Sequence, residues 1–212
     1  MKAEIWSDVM CPFCYIGKRK FEAALAQFEG KENVQVEWKS FQLNPSLKTD
    51  AGKNINAYLS EIKGISVEQA KEMNARVSAM AKEVGLNYDF DKVIVANSFD
   101  AHRLIQYAKR KGKADIMEEK LFSAYFVEGK NTADHKVLLT LAKDAGLEEK
   151  ETAAILESGL FADEVEEDVE QATQIGVRGV PFFVFDRKYA VSGAQAVEVF
   201  LQAMRKTSEE SK

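Results

Sequence analysis

Ala3-Glu4-Ile5-Trp6-Ser7-Asp8-Val9-Met10-Cys11-Pro12-Phe13-Cys14 is the stretch on which the fold turns. Ala3 to Ser7 has the character of a short strand, Ser7 to Met10 turn the chain, and the two cysteines follow with two residues between them. Such a pair can close a disulfide when it occupies the first turn of a helix. Positions i and i+3 then share a face about 5–6 Å apart, which suits disulfide geometry. Pro12 fits this placement, because a first-turn residue needs no N–H and its φ is already helical. Phe13, Ile16, Phe21, Leu25 and Phe28 continue at helical spacing. The unpaired N–H groups and dipole of a helix start favour a thiolate at Cys11. Strand, turn, CxxC and helix is the setting of a redox motif.

Composition narrows the alternatives. The 212 residues suffice for one large domain or for a domain with a big insertion. A formal charge of −5 argues against nucleic acid as a partner, which would need a basic face. No run is apolar and long enough to span a membrane. Met1-Lys2 leads straight into a charged strand pattern with no leader-like apolar core, so the expected location is cytoplasmic. Structural disulfides are rare there, and a lone CxxC points to catalysis or metal rather than to a staple. A zinc site would need two more ligands. The two histidines, His102 and His135, are spaced for no compact zinc module, so no metal is expected. A buried, inert pair is the remaining bland reading.

Beyond the first helix, Val34 to Phe41 alternates apolar and polar residues as a second strand. Pro45 holds Asn44 out of the helical region. From about Ile55 to Gly159 the patterns are helical, with no confident strand among them. Ser66-Val67-Glu68-Gln69 is a capping-box start, and Gly85, Gly112 and Gly146 sit at helix stops. Asp163 to Ile175 forms an acidic helix whose charges suit a solvated face. Gly179-Val180-Pro181 breaks the pattern. Phe182–Phe185 and Tyr189–Ser192 pair as strands across Asp186-Arg187-Lys188, and a last helix spans Ala194 to about Arg205. The ends supply βαβ and αββα around a helical block. The expected fold is α/β: a thioredoxin fold with a large all-helical insertion. Residues 1–46 and 163–206 would form the discontinuous thioredoxin-like domain, 47–162 the insertion and 207–212 a flexible tail. A thioredoxin fold places a proline opposite its CxxC, and Val180-Pro181 stands where that bond would be cis; the bland reading is a trans proline that starts an edge strand, and the CxxC in register with it favours cis.

With these pieces in view, the chain resembles the DsbA family, in particular its FrnE-like branch. The resemblance rests on Ser7-Asp8 before Cys11-Pro12-Phe13-Cys14-Tyr15-Ile16-Gly17, then Phe41-Gln42-Leu43-Asn44-Pro45, Asn97-Ser98-Phe99-Asp100-Ala101-His102-Arg103-Leu104 and Gly179-Val180-Pro181-Phe182-Phe183. It implies thiol–disulfide oxidoreductase activity through Cys11 and Cys14, on disulfide-containing or thiol substrates, with glutathione as a further co-substrate and no other cofactor. Related branches are 2-hydroxychromene-2-carboxylate isomerase and kappa-class glutathione transferase, which usually carry serine at the position of Cys11. Phe13 replaces the histidine of periplasmic members, which implies a weaker oxidant.

The expected roles follow. Cys11 is the nucleophile and the more exposed sulfur, Cys14 the deeper resolving thiol, and Pro181 the facing cis-proline. Pro12, Phe13 and Val180 border the substrate. His102 is either a satisfied structural histidine or lines the cleft to tune the thiolate or touch substrate. Asn97 is either a helix cap or part of that cleft. Asp8 is either a turn residue or a proton shuttle. Rival readings are a glutathione-dependent isomerase or transferase acting on a small aromatic or electrophilic substrate, and a non-catalytic binder. The chain is expected as a monomer or homodimer.

Overall fold

The computed structural model describes residues 1–210. Its central sheet is built from the chain ends: β1 (Lys2–Ser7), β2 (Gln35–Ser40), β5 (Phe182–Phe185) and β6 (Tyr189–Ser192), in the order β2-β1-β5-β6. β1 pairs in parallel with β2, Ile5 opposite Trp38, and antiparallel with β5, Ile5 opposite Phe183. The parallel pair needs a crossover, and α1 (Pro12–Gln27) supplies it.

Alternation along β1 sorts its two faces. Ala3 and Ile5 join the main core with Phe21 of α1, Phe183 and Phe185 of β5 and Phe200 of α9 (Val197–Glu209). The Phe183 and Phe200 rings meet edge-on at 4.7 Å between centroids. Trp6 points the other way and packs with Val184, Val177 and Ala172 beneath α8 (Ala162–Gln174). Glu4, on that same second face, is buried but holds the Arg187 guanidinium through both oxygens.

Between the halves of the sheet come α2 (Ile55–Lys63), α3 (Val67–Glu83), α4 (Phe99–Arg110), α5 (Ala114–Phe122), α6 (His135–Asp144) and α7 (Glu149–Leu156). The capping box at Ser66 and Gln69 forms as its sequence predicts. This block is not wholly helical. β3 (Asp50–Asn54) and β4 (Ile94–Val95) pair as a small antiparallel ribbon. The Asn54 amide closes it by donating to the carbonyls of Phe90, Asp91 and Val93. At the end of α5 the helix widens into a π turn over Ser123–Val127.

The C-terminal boundary also shifts. α9 continues to Glu209 and Thr207 is fully buried, so a tail beginning at residue 207 is a misreading. The Thr207 hydroxyl donates back to the Ala203 carbonyl, which lets a polar residue stay inside. Ser211 and Lys212, the end of the expected tail, lie outside the described residues.

Candidate active site

Cys11 is the N-cap of α1, in extended backbone, with Pro12 as the first helical residue. The Cys11 amide donates to the Asp8 carbonyl at 2.9 Å, and the Cys14 amide donates to the Cys11 carbonyl at 3.0 Å. These bonds wind the motif into the helix start and place Cys14 one turn on. Both cysteines are free thiols.

The Val180–Pro181 bond is cis. Its loop lies directly against Cys11, whose thiol donates to the Val180 carbonyl at 3.4 Å. Gly17 makes the approach possible. A Cβ there would stand 2.9 Å from Pro181 Cγ and 3.4 Å from Phe183 Cζ. From the insertion side, the Tyr88 hydroxyl donates to the Pro12 carbonyl at 2.8 Å. Tyr88 in turn stacks on Phe126 with 4.8 Å between centroids. The motif is thus clamped between the cis-proline loop and the insertion.

That clamp changes the expected accessibility. Cys11 is 3% exposed and Cys14 1%, so the first sulfur is not an open one. Val180 covers Cys11, and the rim of the site is Phe13, 38% exposed. Cys14 sits in apolar company with Tyr15, Ile16, Phe122 and Tyr125. Burial pushes its thiol well up, and the hydrogen bond and charge of Cys11 add to the effect. The Asp8 amide and Ser7 hydroxyl face its sulfur and oppose that rise. Cys14 is therefore the sulfur that keeps its proton.

Beside Pro12 and Phe13 a cavity of about 500 Å³ opens between the motif and the insertion, walled largely by apolar side chains such as Tyr58, Leu59, Met73 and Phe126. The π turn carries Tyr125 and Phe126 to this wall. None of these residues bears a recognisable signal in the sequence, because the wall forms only when α2, α3 and the π turn meet the start of α1.

Asp8 is fully buried and is a turn residue. Its carboxylate accepts from the Met10 amide at 3.2 Å and the Leu43 amide at 2.7 Å, which shapes the turn. The same carboxylate meets His102 Nε2 at 3.4 Å. His102 is 0% exposed and is not among the residues that line the cavity beside Phe13. It lies beneath the motif and reaches it through Asp8. Asn97 is occupied elsewhere: its oxygen accepts from the Phe99 amide at the start of α4, and its amide donates to the Leu47 carbonyl at 2.7 Å.

A buried carboxyl near His102 and Asp8 also escaped the sequence reading. Glu118 of α5 is 1% exposed, and burial pushes its carboxyl up to about 7 against the opposing charges of His102 and Lys18. In sequence it is one of two adjacent glutamates on an ordinary helix, with nothing to separate it from a surface residue.

The comparisons with known proteins agree with this architecture. A family model described as DSBA-like thioredoxin domain matches residues 2–205, and the chain belongs to that family. The crystal structure of a probable DsbA oxidoreductase from Streptomyces coelicolor superposes with a TM-score of 0.94 at 39% identity, covering 99% of this chain and 91% of that one. The uncharacterized protein YwbO of Bacillus subtilis is 28% identical over 203 residues, 95% of this chain and 94% of its own. The cytosolic disulfide reductase DsbM of Pseudomonas aeruginosa, in a structure with GSH, shares the fold with a TM-score of 0.61 at 17% identity, covering 100% of this chain and 97% of that one.

Proposed function

We propose that this member of the DsbA-like family is a thiol–disulfide oxidoreductase that exchanges disulfides with protein or small-thiol substrates, glutathione among them, through Cys11 and Cys14. The observation that carries the reading is the arrangement of the first sulfur. Cys11 caps the N-terminus of α1, faces the cis Val180–Pro181 bond and has a proton-keeping second thiol one turn away.

In the reductive direction the Cys11 thiolate attacks a substrate disulfide. A Cys11–substrate bond forms, the substrate S–S bond breaks, and one substrate thiolate leaves and takes a proton from water. Cys14 then attacks the Cys11 sulfur, which releases the second substrate thiolate. The substrate gains two electrons and the cysteine pair loses them. Oxidation of a substrate dithiol is the reverse. Pro12, Phe13 and Val180 border the sulfur and would meet the substrate first. Among the described residues no helix is long and apolar enough to cross a membrane. We assign the enzyme to the cytoplasm, in line with the cytosolic DsbM of the same fold.

Replacing Cys14 with Ser tests the reading. The variant should accumulate a mixed disulfide on Cys11 when offered oxidised glutathione or a disulfide-bonded protein, detectable as a mass adduct. Absence of any adduct would contradict it. The apolar cavity beside Phe13 favours a second reading, a glutathione-dependent isomerase or transferase on a small aromatic substrate. That chemistry does not need the second sulfur, so full activity of Cys14→Ser on such a substrate would favour it.

A further inference from the structure

Among the described residues, the insertion reaches the Cys11–Cys14 segment through a single hydrogen bond, from the Tyr88 hydroxyl to the Pro12 carbonyl at 2.8 Å. Three rings fix the donor. Tyr88 stacks on Phe126 with 4.8 Å between centroids and on Tyr15 of α1 at 6.1 Å, and Phe90 meets its edge at 5.6 Å. Packing asks only for a ring here, and phenylalanine would serve. The hydroxyl adds the bond to the motif. The neighbouring phenols are engaged elsewhere: Tyr15 donates to Glu119, and Tyr125 to the Ile94 carbonyl. Burial, followed by the charges of Cys11, Tyr15 and Cys14, pushes the Tyr88 phenol well up, so it keeps its proton and remains a donor.

Resting on the oxidoreductase reading above, we propose that Tyr88 tunes the first sulfur through the peptide unit that joins Pro12 to Phe13. The carbonyl of that unit receives the Tyr88 hydroxyl. Its N–H belongs to Phe13, the second residue of α1 after the Cys11 cap. A cap side chain accepts from the N–H of the second or third helical residue. The Cys11 thiol makes no such bond and instead donates to the Val180 carbonyl at 3.4 Å. Once the proton is lost, the sulfur cannot donate, and the Val180 oxygen is an acceptor facing a negative charge. The thiolate is then met from the helix side, where the Phe13 amide is one of the first-turn donors without a backbone acceptor. A hydrogen bond at the carbonyl end polarises a peptide unit and strengthens the donor at its other end.

Between the two cysteines the motif offers the sulfur no polar side chain. Pro12 has no N–H, and the Phe13 side chain is apolar and stands at the rim. The added support therefore comes from the insertion, 76 positions along the chain. Tyr88 acts through the peptide unit rather than on the sulfur and is a positioning residue. The exchange steps and their electron count are those given above. What Tyr88 changes is the balance between the reduced and disulfide forms, because the thiolate exists only in the reduced one.

The test compares the wild type with Tyr88→Phe, which keeps the ring and loses the hydroxyl, and with Tyr88→Leu, which loses both. Each protein is equilibrated in glutathione buffers at a pH on the plateau of its alkylation profile, where the thiolate is the reduced form. Thiol trapping and mass then count the reduced and disulfide forms. The equilibrium constant for oxidation by oxidised glutathione should rise about two- to fourfold in Tyr88→Phe, as expected when a charge-assisted bond to the thiolate loses roughly 10–30% of its strength. Tyr88→Leu should show a rise of similar size. An unchanged or lowered constant in Tyr88→Phe, including the case in which Tyr88→Leu alone moves, would assign any effect to packing and overturn the role of the hydroxyl, while the oxidoreductase reading stands. Failure of the wild type to form the Cys11–Cys14 disulfide at any buffer ratio would overturn both.

Discussion

Two buried charge clusters meet α4 one turn apart, at Gln106 and at His102, and they are built differently. Behind β2, Asp168 receives Lys39 at 2.9 Å, the Ser40 amide at 2.9 Å and the Gln106 amide at 2.6 Å. Its neighbour Glu37 is held by Lys109 and Lys2; against burial they lower its carboxyl to about 2. Beneath the cysteines, Asp8, His102, Glu118 and Cys14 are just as deep, yet His102 Nδ1 and Glu118 Oε2 are left without partners. In the first cluster the partners hold the Glu37 carboxyl down and the Lys39 ammonium up, so both stay charged near neutral pH. In the second, burial instead pushes the Glu118 carboxyl up to about 7. Full pairing marks the cluster behind β2, and incomplete pairing the one beneath the cysteine motif.

Mutations can break this contrast. The largest effect is expected at the first sulfur. Cys11→Ser should lower disulfide exchange by about a thousandfold or more while leaving thermal stability within ~1 kcal/mol, measured by turnover with oxidised glutathione and by calorimetry. Asp168→Ala should do the opposite. It orphans Lys39, Gln106 and the Ser40 amide, and should cost about 3–5 kcal/mol in denaturant unfolding with exchange unimpaired in the folded fraction. A large activity loss at constant stability there would erase the distinction between the clusters.

Glu118→Gln sharpens the contrast through its sign. Because the folded-state carboxyl is raised to about 7, Glu118 supports the fold fully only below its ordinary range, and this support is lost as pH rises through about 7. The glutamine variant should therefore match the wild type near pH 4 and exceed it above pH 7, by on the order of 3 kcal/mol at most. Glu37 runs the other way: its contribution is present above its ordinary range and lost as pH falls towards about 2. Unfolding midpoints across pH would read both signs.

Gly17→Ala tests the clamp. The new Cβ would meet Pro181 at 2.9 Å, so the cis-proline loop must move, at a cost of about 1–3 kcal/mol and a measurable loss of exchange. Tyr88→Phe, the mildest change, removes one hydrogen bond to Pro12 and should cost about 1 kcal/mol.

The chain ends were legible because their signals are local. A CxxC after a strand, alternation in Val34 to Phe41 and a proline before Phe182-Phe183 each have a physical meaning within a few residues. The insertion was legible as helices but not as a wall. Asp50-Ala51-Gly52-Lys53-Asn54 is polar, lacks β-branched residues and pairs through an asparagine side chain, so nothing marks it as a strand. His102 could be singled out by type. Its place beneath the motif rather than in the cleft depends on Asp8, 94 positions away. Glu118 was invisible because its burial is made wholly by the packing of α5 against its neighbours.

The most direct test of the central claim is an equilibrium titration of the reduced protein in glutathione buffers, followed by thiol trapping and mass. The account predicts a single transition to a species two hydrogens lighter, with both cysteines protected together, and its loss in Cys11→Ser and Cys14→Ser. A protein that never closes the Cys11–Cys14 bond at any buffer ratio would contradict it.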